Sequence, residues 1–300
     1  MKSEDKVIRL DSFLSNKKIE SEDDINNLVS DFISLYNSNI DKELTEENAK
    51  TSNDFLELAE NASSKKKALK YAKKALELDS ENLDAEVMIA ELSSTSNDAL
   101  IKKYKKIIDK STKELTNQGY FDDDNIGQFW LILETRPYMR LLDRYTNALI
   151  ECMKVHLAID ECKEMLRLCE NDNLGARYSL MHLYVYLEDE QSALELYKRY
   201  EEEGTQFLLP LSILYYRLGN LTEATKYLKE LKNVNEDTNK FFYAIRNNRL
   251  IDCLDEFNPF GYRPFTIEEF IAEMNDYGFL FISSSAYFDW GYQKLKSIKD

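Results

Sequence analysis

Turn-forming residues are scarce in this chain of 300 residues: it carries four prolines and eight glycines, and no proline precedes Pro137. A β-rich fold needs many more of both, so the scarcity excludes one and favours helices joined by short polar turns. Histidine is also rare, with only His156 and His182, and neither has a Cys, Asp or His partner at ligand spacing. A metal site is therefore not expected. The four cysteines, Cys152, Cys162, Cys169 and Cys253, form no C-x-x-C pair and read as free thiols of a reducing compartment. Missing too are a Gly-rich phosphate loop, a G-x-S-x-G elbow and an H-E-x-x-H helix, so no catalysis and no cofactor are predicted. No run of about 18 apolar residues is present. The start, MKSEDKVIRL, has no apolar signal core, and a cytoplasmic protein is expected. Positive charge is in deficit as well. Against 55 acidic residues stand 39 basic ones, a net charge of −16 that disfavours nucleic acid and anionic membrane surfaces as partners.

What is present is periodicity. Ala158, Ala193 and Ala224 lie 35 and then 31 residues apart. Each follows a large side chain by nine positions (Leu149, Tyr184, Tyr215) and precedes another by four (Cys162, Tyr197, Leu228). A repeat of about 34 residues with a small residue at a helix crossing is the mark of the tetratricopeptide unit, a helix–turn–helix. One such unit cannot bury its own apolar face, so neighbours stack. The fold predicted is all-α: a right-handed tetratricopeptide-like solenoid of about five helical hairpins with helical caps at both ends.

Three segments follow. Residues 1–60 read as an N-terminal helical cap, with a capping-box-like Ser21 and Asp24 ahead of an apolar stripe from Ile25 to Tyr36. Residues 61–235 hold the repeats, beginning with Ala68, Ala72 and Ala75 and interrupted by an inserted loop around 109–129. That loop carries Tyr120-Phe-Asp-Asp-Asp-Asn125, but Ile126 and Leu133 fall where calcium ligands would be required, so it reads as solvated. Residues 236–300 form an aromatic-rich C-terminal cap, introduced by an irregular stretch from Asn233 to Asn258 and by a second capping box, Thr266-x-x-Glu269.

Two strings add a family resemblance. Gln128-Phe-Trp-Leu-Ile-Leu-Glu-Thr-Arg-Pro-Tyr-Met-Arg140 and Met165-Leu-Arg-Leu-Cys-Glu-Asn-Asp-Asn-Leu-Gly-Ala-Arg-Tyr178 resemble a bacterial family of tetratricopeptide proteins. Its members carry F-W-x-x-x-E-T-R-P-Y-M-R and then M-L-x-L-N-P-N-D-N-x-G-x-R-Y. A more distant similarity runs to the eukaryotic suppressor-of-tumorigenicity proteins. The resemblance, which extends from about Ser64 to the C-terminus, implies an intracellular helical-repeat protein without established catalytic activity. This chain departs from the pattern at Cys169-Glu170, where the family has Asn-Pro.

In such solenoids the first helix of each unit lines a concave groove. Counting back from the alanines assigns Arg140, Asp143, Asn147 and Glu151 to one unit, Tyr178, His182 and Tyr186 to the next, and Gln206, Leu209, Ile213, Tyr216 and Arg217 to the third. Arg and Tyr are favoured interface anchors. The expected function is accordingly that of a scaffold holding a protein or peptide partner in a mixed Arg/Tyr groove. The planar forks of Arg140 and Arg217 suit an acidic or C-terminal peptide, whereas Asp143 and Glu151 on the same wall suit a mixed-charge, folded or helical partner. Two alternatives stand beside it: a homodimer made through the aromatic segment Phe257–Tyr292, and a regulator of a co-encoded toxin or defence enzyme acting through the acidic N-terminus.

Overall fold

The computed structural model describes residues 44–250 and 262–298. The Ser21 capping box, the stripe from Ile25 to Tyr36 and Cys253 lie outside these residues. Among the described residues there are fourteen α-helices, one 3-10 turn and no strand. Residue contacts separate the chain into two units, Met1–Ser111 and Thr112–Asp300.

In the first unit α1 (Ser52–Glu60), α2 (Lys65–Leu78) and α3 (Leu83–Ser93) pack each on the next, and α4 (Asn97–Asn117) follows. Side chains mark each start. Thr51 and Asp54 close a reciprocal capping box on α1, Ser64 caps α2, and Asn82 caps α3. Ala72, Ala75 and Ala85 are fully buried because backbones meet there, and Phe55 fills the space beside them. Hairpin packing is thus already present from Ser52, inside the segment expected to be a cap. The inserted loop is also shorter than expected, since α4 runs on to Asn117.

The second unit contains α5 (Arg136–Glu151), α6 (Val155–Leu168), α7 (Ala176–Tyr186), α8 (Glu190–Tyr200), α9 (Thr205–Arg217), α10 (Leu221–Val234) and α11 (Thr238–Arg246). After the undescribed 251–261 come α12 (Ile267–Asp276), α13 (Gly278–Ser283) and α14 (Ser285–Ser297). Helices α5/α6, α7/α8 and α9/α10 form hairpins, and Ala158, Ala193 and Ala224 are fully buried in their second helices. The hairpin turns share one geometry. Met153, Glu188 and Gly219 adopt left-handed φ of 51°, 58° and 77°. The next residue, Lys154, Asp189 or Asn220, donates its N–H to the carbonyl of Leu149, Tyr184 or Tyr215 at 2.9 Å. This six-to-one bond is the Schellman closure of a helix end. The same turn recurs at Asn248 (φ 53°), where Arg249 N–H reaches Ala244 O at 2.8 Å. Helix α11, in the stretch expected to be irregular, therefore ends in the same turn as the first helices of the three hairpins. Its packing partner is α14.

Both quoted strings are structural. Phe129 is fully buried against Phe121 and Tyr138, and Thr135 Oγ1 donates to Phe129 O. Arg136 Nε donates to Trp130 O at 2.7 Å while its guanidinium lies over the Trp130 ring, and Pro137 opens α5. Asp172 caps α7: its carboxylate accepts from Ala176 N at 2.7 Å and Arg177 N at 3.0 Å, and it pairs with Arg177 Nη1 at 2.9 Å.

Candidate functional site: an acidic pocket roofed by the C-terminal helices

The C-terminal helices pack against the end of the helix row, where α14 meets α10 and α11, and they also reach back along it. They lie across the faces of its first helices, α12 and α14 on α9 and α13 on α7. This placement decides where the expected groove residues go. His182 is fully buried, its Nδ1 at 2.8 Å from Tyr178 O and its Nε2 at 2.8 Å from Glu273 Oε1 of α12. Tyr277 stacks on the imidazole with ring centroids 3.8 Å apart. Tyr186 meets Phe279 edge-on, and Tyr216 packs against Tyr287 and Trp290. Leu209 and Ile213 are completely buried. Arg217 pairs with Glu188 at 3.0 Å, tying α9 to the preceding hairpin turn. These residues were expected to face a partner; in the structure the chain's own C-terminus covers them or they bind their neighbours. Part of the aromatic segment expected to make a homodimer packs internally, with Tyr287, Phe288 and Phe281 buried among Phe241 and Phe242; Tyr262 and Phe265 are exposed, and Phe257 and Phe260 lie outside the described residues.

The sequence carries a signal for this covering. Helix α7, ARYSLMHLYVY, is apolar nearly all round, and such a helix is buried on every side. A groove-lining helix needs one polar face.

What remains open lies at the other end of the row. A cavity of about 720 Å³ sits between α5, the α6–α7 connection, α7 and α12. Of the expected groove residues, Asp143, Asn147, Glu151, Tyr178 and Gln206 line it; Arg140 is half-buried on α5 outside it. From the C-terminal side come Tyr262, Glu273, Asp276 and Tyr277, none of which the repeat spacing could assign to a site.

Carboxylates dominate this cavity. Burial in the wall pushes Asp143 up to about 6, with Arg144 opposing. Burial also raises Asp276, and it raises Glu273 well above the carboxylate range, helped by Glu269 and Asp276. The cation in the lining, Arg177, is committed to Asp172 and to Glu202 at 2.9 Å. Tyr178 donates its hydroxyl to the same Glu202 at 2.6 Å. The lining thus carries more acidic than basic side chains, where an Arg-bearing groove for an acidic or C-terminal peptide was expected.

The proton inventory at Glu273 follows from its neighbours. A backbone carbonyl only accepts, so His182 Nδ1 carries a hydrogen toward Tyr178 O. The 2.8 Å contact between Nε2 and Glu273 Oε1 needs a second proton between them. Burial drives the imidazole down to about 3 and the carboxyl up, which places that proton on Glu273. Oε2 is left as an acceptor, buried and without a hydrogen-bond partner among the described residues. With both nitrogens engaged, His182 has no face to offer a substrate as a base.

Among the described residues no three His, Cys, Asp or Glu side chains are grouped as metal ligands. No helix among them is long and apolar enough to cross a membrane. Comparison with protein-family models and with curated proteins finds no match for this chain.

Proposed function

We propose that this chain is a tetratricopeptide-like, right-handed helical-repeat protein of the bacterial cytoplasm. It binds a protein partner at the acidic pocket between α5, α7 and α12 and performs no chemistry. Support for the repeat reading comes from the buried alanines at 35- and 31-residue spacing and from the recurring left-handed turn. The observation that carries the binding reading is where the covering stops. Among the described residues, Asp143 and Asn147 of α5 border a cavity of about 720 Å³, while α12–α14 pack on the first helices α7 and α9. A volume in the hundreds of Å³ suits one anchoring side chain or a short segment. Its surplus of carboxylates selects for basic character, so complementarity sets which partner docks.

The test is comparative capture from lysate. Asn147 is exposed and its side chain makes one long surface contact, Nδ2 to Asp143 Oδ2 at 3.4 Å, so Asn147→Arg should put a cation into the pocket mouth without unfolding the chain. A partner retained by wild type and lost by Asn147→Arg, but kept by Lys226→Glu on α10, supports the reading. A partner that ignores both substitutions overturns it.

A further inference from the structure

We propose that the pocket's specific occupant is a primary alkylammonium group, anchored by Glu273 Oε2 at the back and by the carboxylates of Asp143 and Asp276 toward the opening. This inference rests on the pocket being the binding site and names the ligand class it takes. A set of carboxylates alone would select any cation. The additional observation is the orphan acceptor. Glu273 is 2 % exposed, lines the pocket, and has one oxygen satisfied by His182 while the other meets no donor among the described residues. A buried acceptor without a donor is unfavourable, so a donor delivered there is favoured.

Three features narrow the donor's chemistry. The anchor is buried, so the group must be slim enough to reach it, which suits an ammonium at the end of an alkyl chain better than a planar guanidinium. The carboxylates are not grouped as metal ligands, so they surround a space instead of converging on a point. Tyrosines share the wall: Tyr178, Tyr262 and Tyr277 supply aromatic surface beside the negative charge, the combination that holds alkylammonium ions. An –NH₃⁺ group can donate to Oε2, while the acidic side chains around the space favour its positive charge. The source of the group is either a lysine side chain of a protein or a free alkyl diamine.

Histidine scarcity makes the site readable in solution. Only His156 and His182 contribute imidazole signals, and His156 is exposed at the start of α6. The full chain, labelled with ¹⁵N-histidine, is titrated with 1,5-diaminopentane, with neutral 1,5-pentanediol, and with a blocked Gly-Lys-Gly peptide and its Nε-acetylated form. The expected result is that diamine or lysyl peptide shifts the His182 ring nitrogens while His156 stays still. The diol and acetylated peptide should bind at least about tenfold more weakly. Asp143→Asn combined with Asp276→Asn should weaken binding by a similar factor, with the wild-type His182 signal confirming an intact pair. Tighter binding of the diamine than of the lysyl peptide identifies a free amine as the source, and the reverse order identifies a partner's lysine. Equal binding of diol and diamine, or amine binding that leaves His182 unmoved, overturns the inference. The two readings fail separately. A partner lost by Asn147→Arg but not displaced by diaminopentane sinks this inference alone, whereas amine binding at His182 with no partner captured sinks the scaffold alone.

Discussion

Asp143 and Glu273 on one side and His182 on the other give the molecule opposite responses to pH. Asp143 has an ordinary value of 3.8 and sits at about 6 in the fold. A raised acid favours folding while protonated, so its contribution is present below 3.8 and is lost as pH rises through about 6. Asp143→Asn should therefore be close to neutral at pH 4 and stabilising by ~1–3 kcal/mol at pH 7, measured by urea unfolding at both. His182 is lowered from 6.5 to about 3, so its contribution is lost as pH falls below 6.5, whereas the raised Glu273 loses its own as pH climbs above 4.5. The pair is one hydrogen-bonded unit. Glu273→Leu leaves Nε2 without a partner and should cost ~1–3 kcal/mol, and His182→Phe should cost a similar amount. The double variant should cost clearly less than the sum. Additive losses in that cycle would mean the two side chains do not share a proton. None of this was legible from His182 alone, since a histidine on a repeat helix looks the same whether it faces a groove or a covering helix.

At the level of elements, much was legible. Alanine spacing located α5 to α10 because helix crossings demand small residues wherever they occur, a constraint written locally in the chain. Helix ends were less readable. Met153 and Glu188 stand in left-handed conformation where Gly219 alone advertises the turn, so two of three turns carried no glycine signal. Replacing the exposed Met153 by glycine should remove the cost of that conformation and raise stability by ~0.5–1 kcal/mol in denaturant melts. The stretch around α11 escaped notice because its polar Asn and Glu residues suggest a loop, yet Phe241 and Phe242 are completely buried in it. The departure at Cys169-Glu170 also gains a reason. Glu170 N–H donates to Gly127 O at 2.9 Å, and Phe129 N–H to Leu168 O at 3.0 Å, pinning the insertion to the end of α6. A proline at 170 has no N–H to give. The Asp172 cap is the other hinge of this junction, and Asp172→Ala should cost ~1–2 kcal/mol by freeing two α7 amides and the Arg177 guanidinium.

For the whole second unit, the placement of α12–α14 could not be read from spacing, since it rests on contacts far apart in sequence. Thr205 Oγ1 donates to Glu269 Oε2 at 2.7 Å, and Tyr287 OH to Ser212 Oγ at 2.8 Å. Shape complementarity is close there as well: a Cβ built on Gly291 would come within 2.4 Å of Phe242 Cε1. Gly291→Ala should destabilise by ~1–3 kcal/mol, read as a fall in the thermal midpoint. An unchanged midpoint would mean α14 is not seated on α11.

Rows of hairpins that touch only their neighbours come apart piecemeal, the end units fraying first. Here Ser179 meets Tyr277 across 98 positions of chain, His182 meets Glu273 across 91, and Ser212 meets Tyr287 across 75. The C-terminal helices act as a crossbar bolted to several rungs at once. Such a ladder gives way as a single piece, so unit two should melt in one transition, and slowly refold because its first rungs wait for its last residues. During synthesis the middle of the chain therefore leaves the ribosome unfinished, its apolar faces uncovered until the final helices arrive.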